Sequence, residues 1–130
     1  MGKRSTARRL AMQAIYQSDI SGIEIDKALE NLFVEEKLAD ETKKFASRLA
    51  KGTMDNKSGI DAKITGLAKN WTVNRISAIN MSILRLAFFE LMFEKDTPGA
   101  VAINEALELA KRYSDAESAK FINGILGNVK

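Results

Sequence analysis

The chain contains no cysteine and no histidine, and a single proline in 130 residues. Without cysteine there is no disulfide framework and no thiolate chemistry; without histidine the commonest general base and the commonest metal ligand are both missing. Gly22, Gly52, Gly59, Gly66 and Gly99 stand alone, so no glycine-rich loop is available to cradle a phosphate. Carboxylates pair only as ordinary neighbours on helix surfaces. These absences remove most nucleophile–base arrangements and argue for a binding protein, not an enzyme, with no metal and no cofactor expected. Residues 1–20 mix arginine with isolated apolar residues and never reach an uninterrupted apolar run. Neither a secretory signal nor a membrane span is expected, and a bacterial-type cytoplasmic setting is the simplest reading.

What is present favours helices. Hydrophobic residues make up 45% of the chain, one proline is too few to interrupt helices often, and adjacent β-branched residues are scarce. We expect an all-α fold of about seven helices in a single domain over residues 1–130, large enough to bury roughly two-thirds of its unfolded surface. The spacing predicts a first helix from about Lys3 to Asp19, with Ala7, Leu10, Ala11, Ala14 and Ile15 on one buried face and a stop near Ser21-Gly22. Further helices are expected over Ile25–Glu36 and over Asp40–Met54, the latter capped by Asp40. A turn is expected between Asn56 and Gly59, then a short helix carrying Ile60, Ile64, Leu67 and Ala68. From Val73 to Phe93 the apolar residues occupy nearly every side, as befits a helix in the middle of a bundle. Thr97-Pro98 pairs a capping hydroxyl with a proline suited to the first helical position of the next helix. A last helix after Ser114-Asp115 carries Ile122, Ile125, Leu126 and Val129.

Charge is unevenly placed. The first eighteen residues hold Lys3, Arg4, Arg8 and Arg9 and no acid, whereas the chain as a whole carries +3; taking away the arm's +4 leaves −1 for residues 19–130. A polyanion would feel that as a patch at one end. On a helical wheel Arg9, Met12, Gln13 and Tyr16 fall on the outward side of the first helix, so Tyr16 could offer a base-stacking ring beside phosphate-binding cations. The competing reading is that the arginines are solvated and Tyr16 packs beneath a neighbouring helix. Phe121 lies at the edge of its helix's apolar stripe and could be either a stacking ring or a core residue. Glu90 falls inside the central helix, where a lone carboxylate is costly, and a cap or an arginine partner is expected for it. Asn104, Glu105, Glu108, Lys111 and Arg112 read as a wet face, with Glu108 and Arg112 four residues apart as an ion pair.

Beyond spacing, particular strings recur in order: RRLAMQAIYQ from Arg8, Trp71, Arg75-Ile76, ILRLAFFEL from Ile83, Asp96-Thr97-Pro98, VAINEALELAKRY from Val101 and KFINGIL from Lys120. Together they resemble the NusB family of bacterial transcription antitermination factors over essentially the whole length. The resemblance implies two small helical subdomains and a role in the complex that makes RNA polymerase resist termination, notably on ribosomal RNA operons. It implies binding of single-stranded boxA RNA together with NusE, a small-subunit ribosomal protein. Carried over by position, the RNA-binding residues would be Lys3, Arg4, Arg8, Arg9, Tyr16, Arg85 and Phe121. The NusE contact would fall near Asn80, Leu84 and Arg85. Two departures stand out: Ser5-Thr6-Ala7 interrupts the basic run, and Asn80 is uncharged where a charged residue is expected. A homodimer is left open. Two alternatives remain: a NusB-like RNA-binding domain related to the N-terminal domain of ribosomal RNA cytosine methyltransferases, whose catalytic part this chain would lack, or a helical interaction protein that binds no RNA. Four arm cations at about 0.7 each predict a log–log salt slope of roughly −2 to −3 for single-stranded RNA.

Overall fold

A computed structural model describes residues 2–68 and 76–129 as helices and short connections, with no strand among them. The helices are α1 (Lys3–Ser21), α2 (Ile25–Phe33), α3 (Asp40–Asp55), α4 (Lys57–Leu67), α5 (Ala78–Phe93), α6 (Gly99–Tyr113) and α7 (Ala116–Leu126). The all-α expectation is met. α1 stops where expected because Gly22 takes φ +74, a left-handed conformation that side chains resist, and its amide bonds back to the Ser18 carbonyl at 3.0 Å.

Several ends differ from the sequence reading, each for a local reason. α5 starts at Ala78 and not at Val73. Val73 lies outside the described residues, and the Ser77 hydroxyl accepts from the Asn80 amide at 3.1 Å, which defines the start. Asp40 is not a cap: Ala39 holds that position, and Asp40 with Glu41 instead places negative charge in the first turn of α3, where the helix dipole favours it. Thr97 likewise caps nothing, since Pro98 itself occupies the N-cap of α6. The turn expected at Asn56–Gly59 shrinks to Asn56, whose side-chain amide donates to the Gly52 carbonyl at 2.8 Å before α4 begins at Lys57. α2 ends at Phe33, short of Glu36.

α5 is the hub. Every residue from Asn80 to Glu90 is buried, and α1, α3, α4, α6 and α7 all pack on it. α1 packs on α2, α3 and α5 and also meets α6, so its apolar face joins one continuous core. Phe88, fully buried, contributes on the order of 1.5–3 kcal/mol by leaving water. Where α3 crosses α5 the backbone comes so close that a Cβ on Gly52 would stand 2.2 Å from the Phe89 ring. Only glycine admits that approach.

Candidate nucleic-acid interface

The basic arm is the first two turns of α1, so helical periodicity decides which cations face out. Arg8 lies three and seven residues before Ala11 and Ile15, both fully buried, and is itself only 3% exposed. Its Nε donates to both Glu90 carboxylate oxygens at 2.8 and 3.0 Å, and Nη1 donates to Glu105 at 3.0 Å. Ser5 also bonds Glu105 through its hydroxyl. Burial draws the Arg8 pKa down, but the hydrogen bond and charge of Glu90, then those of Glu105, more than offset it, so the guanidinium stays charged. Burial pushes the Glu90 carboxyl above the usual carboxylate range; Arg8 pulls it back in part, against the like charges of Glu94 and Glu105. The sequence reading of Arg8 as a phosphate contact is therefore corrected: its charge is spent inside the fold. The expected arginine partner of Glu90 is Arg8.

The remaining arm cations lie nearer the surface. Lys3 meets Glu41 at 2.6 Å, both well exposed, and holds the Glu41 carboxyl below its ordinary range through a hydrogen bond and its charge. The Arg4 guanidinium carbon sits 4.1 Å from the centre of the Phe45 ring, with Arg8 at 5.5 Å and Arg48 at 5.1 Å around the same ring. Arg9 grips Glu36 through Nη2 at 2.8 and 2.9 Å and donates from Nη1 to the Gln13 oxygen at 3.3 Å. Phe45, Glu36, Glu41 and Glu105 are the residues that sequence reasoning missed. No short-range pattern tied them to the arm, because their contacts with it span from 27 to 100 residues.

Gln13 in turn donates to the Tyr113 hydroxyl at 3.5 Å, and the Arg112 guanidinium lies over the Tyr113 ring at 5.2 Å. Arg112 thus stacks where an ion pair with Glu108 was expected, and Glu108 instead meets Lys111 at 3.8 Å. Glu105, read as part of the wet face, turns in to Arg8. Met12, placed on the outward side by the wheel, is 1% exposed, while Tyr16 is part-buried. Tyr113 is followed by Ser114, which lines a surface cavity of about 340 Å³ together with Ile76, Asn80, Ser118 and Phe121. Contacts therefore lead from Arg9 through Gln13 to Tyr113, the residue before Ser114 of the cavity that part-buried Phe121 also lines.

The residues expected to meet NusE fare differently. Leu84 is wholly buried, and Arg85, 5% exposed, is tied by Nε and Nη2 to Asp61 at 2.8 and 3.1 Å with Asp19 at 3.4 Å. Neither presents a surface to a partner or to RNA; Arg85 instead joins α1, α4 and α5. Asn80 is buried against Ser118, to which its amide donates at 2.9 Å, and its Oδ1 finds no hydrogen-bond partner among the described residues. Among the described residues no group of three or more acidic, histidine or cysteine side chains could hold a metal, and no helix is long and apolar enough to cross a membrane.

Among the described residues, seven helices with α5 buried at their centre, and arginines set against the Phe45 and Tyr113 rings, define an all-helical domain. The family model for the NusB family matches residues 5–130. The chain is 47% identical over 129 residues to the transcription antitermination protein NusB of Bacillus mycoides (strain KBAB4), covering 98% of this chain and 97% of that one. It superposes on the solved structure of T. maritima NusB with a TM-score of 0.89 at 38% identity, covering 95% and 87% of the two chains. It shares its fold, at TM-score 0.89 and 24% identity, with the NusB chain crystallised with NusE and double-stranded RNA, over 96% and 93%. The chain belongs to the NusB family.

Proposed function

We propose that the protein is a transcription antitermination factor that binds boxA RNA of nascent transcripts, notably from ribosomal RNA operons, together with NusE. The near-full-length identity to a transcription antitermination protein carries this reading. Lys3, Arg4 and Arg9 hold phosphates at the surface, and bases of an unpaired strand stack on Tyr16 and Phe121. NusE covers the RNA or the adjoining helices, so each ligand strengthens the other's binding by the same factor. The protein works as one domain in the cytoplasm, without catalysis, as part of the complex with RNA polymerase; a homodimer would hold it in reserve.

Because Arg8 is consumed internally, three cations remain for phosphates. Titrating a short single-stranded boxA RNA at several salt concentrations, with and without NusE, should give a log–log slope of about −2, at roughly 0.7 per phosphate. NusE should raise the affinity. A flat salt response, or RNA affinity indifferent to NusE, overturns the reading. Tyr16→Ala and Phe121→Ala should each cost roughly 1–3 kcal/mol in RNA binding.

A further inference from the structure

We propose that Glu36 and Glu41 act as internal phosphate mimics, occupying Arg9 and Lys3 when no RNA is bound and thereby setting the affinity of the arm. The inference rests on the RNA reading above. Two of the three cations free of the buried cluster are engaged by carboxylates at charge-assisted distances, 2.6 Å for Lys3 and 2.8 and 2.9 Å for Arg9. In the Arg9 contact one guanidinium nitrogen, Nη2, faces both carboxylate oxygens of Glu36, and phosphate oxygens would compete for the same charge-assisted donor. The same donor atoms therefore have to exchange one anion for the other.

The two carboxylates come from separate places, Glu36 from the connection after α2 and Glu41 from the first turn of α3. Glu41 is exposed and the Glu36 side chain is 38% exposed, so both can swing aside without opening the core. Arg8 shows the contrasting case: it is pinned by Glu90 and Glu105 under the surface and exchanges nothing. Exposed pairs of this kind are weak. The mimics consequently lower affinity by a small factor and are displaced by a strand that offers several phosphates at once.

The test compares three versions of the full chain in titrations with single-stranded boxA RNA at low and high salt. Glu36→Gln/Glu41→Gln keeps side-chain size and removes both mimics. Glu24→Gln/Asp55→Asn makes the same charge change at exposed carboxylates outside the arm's ion pairs. Lys3→Ala/Arg9→Ala removes the cations. The mimic-free variant should bind about three- to tenfold tighter than the parent at low salt, the modest gain expected from releasing two weak surface pairs. That advantage should shrink as salt screens the pairs, and the control should gain clearly less. If Lys3→Ala/Arg9→Ala weakens binding while the mimic-free variant gains no more than the control, the mimic proposal fails and the RNA reading stands. If Lys3→Ala/Arg9→Ala leaves RNA affinity unchanged, the arm reading fails and the mimics with it. Thermal melts of all three check that the fold is intact; a gain in affinity with an unchanged melt is the supporting result.

Discussion

Within one turn of α1, Arg8 and Arg9 meet carboxylates under opposite conditions. Arg8 is buried and pairs with Glu90 of α5 and Glu105 of α6, whereas Arg9, 15% exposed, reaches a Glu36 that is 38% exposed at the rim. In the interior both partners have given up hydration, so removing one strands the other at high cost. At the rim water replaces either partner cheaply. The same residue type at adjacent positions therefore anchors the helix in one case and holds only a rim carboxylate in the other.

The sharpest way to break this contrast is Arg8→Met, which leaves Glu90 buried without its cation. We expect a loss on the order of 3–5 kcal/mol in chemical denaturation, and the double substitution Arg8→Met/Glu90→Leu should recover most of it. A small loss for the single variant would mean that the inner pair is as dispensable as the rim. The pH dependence follows from the direction of the Glu90 shift. Its folded pKa lies above its unfolded one, so its contribution to stability is complete below the ordinary carboxylate range and declines as pH rises through the folded value. Arg8→Met takes away the partner that pulls this pKa down, so the decline with rising pH should steepen; Glu90→Gln should abolish it.

Phe45 joins the buried Arg8 to the more exposed Arg4, with Arg48 over the same ring. Phe45→Leu keeps most of the apolar volume and removes the ring face, so it should cost about 1 kcal/mol of stability and loosen Arg4, seen as weaker RNA binding. The smallest effect on stability is expected from Arg9→Ala, below about 1 kcal/mol in the same denaturation assay, while RNA affinity falls measurably. If Arg9→Ala destabilised the fold as much as Arg8→Met, the distinction between inner and outer cations would collapse.

Helix identity was legible because the apolar stripes of α1, α3, α6 and α7 repeat at three and four residues. Ends were less so. Ser77 was available as a cap, but the apolar residues before it extended the periodic pattern back to Val73. The site divides along the same line. Isolation of positive charge at the amino end could be read directly, and the cost of burying Glu90 pointed to an arginine partner. Which arginine answered could not be read, since Arg8 and Glu90 are 82 residues apart and meet only when α1 docks on α5. A signal for Arg8 did exist: it continues the stripe of Ala11 and Ile15 by one more step. Leu84 and Arg85 were assigned outward by analogy, although they sit inside a helix whose composition is apolar on nearly all sides, and that composition was the better guide.

The central helix has one further consequence. Every residue from Asn80 to Glu90 is buried, so the peptide hydrogens along the middle of α5 should exchange for deuterium chiefly when the whole molecule opens. Their exchange rate is therefore a clock for global unfolding.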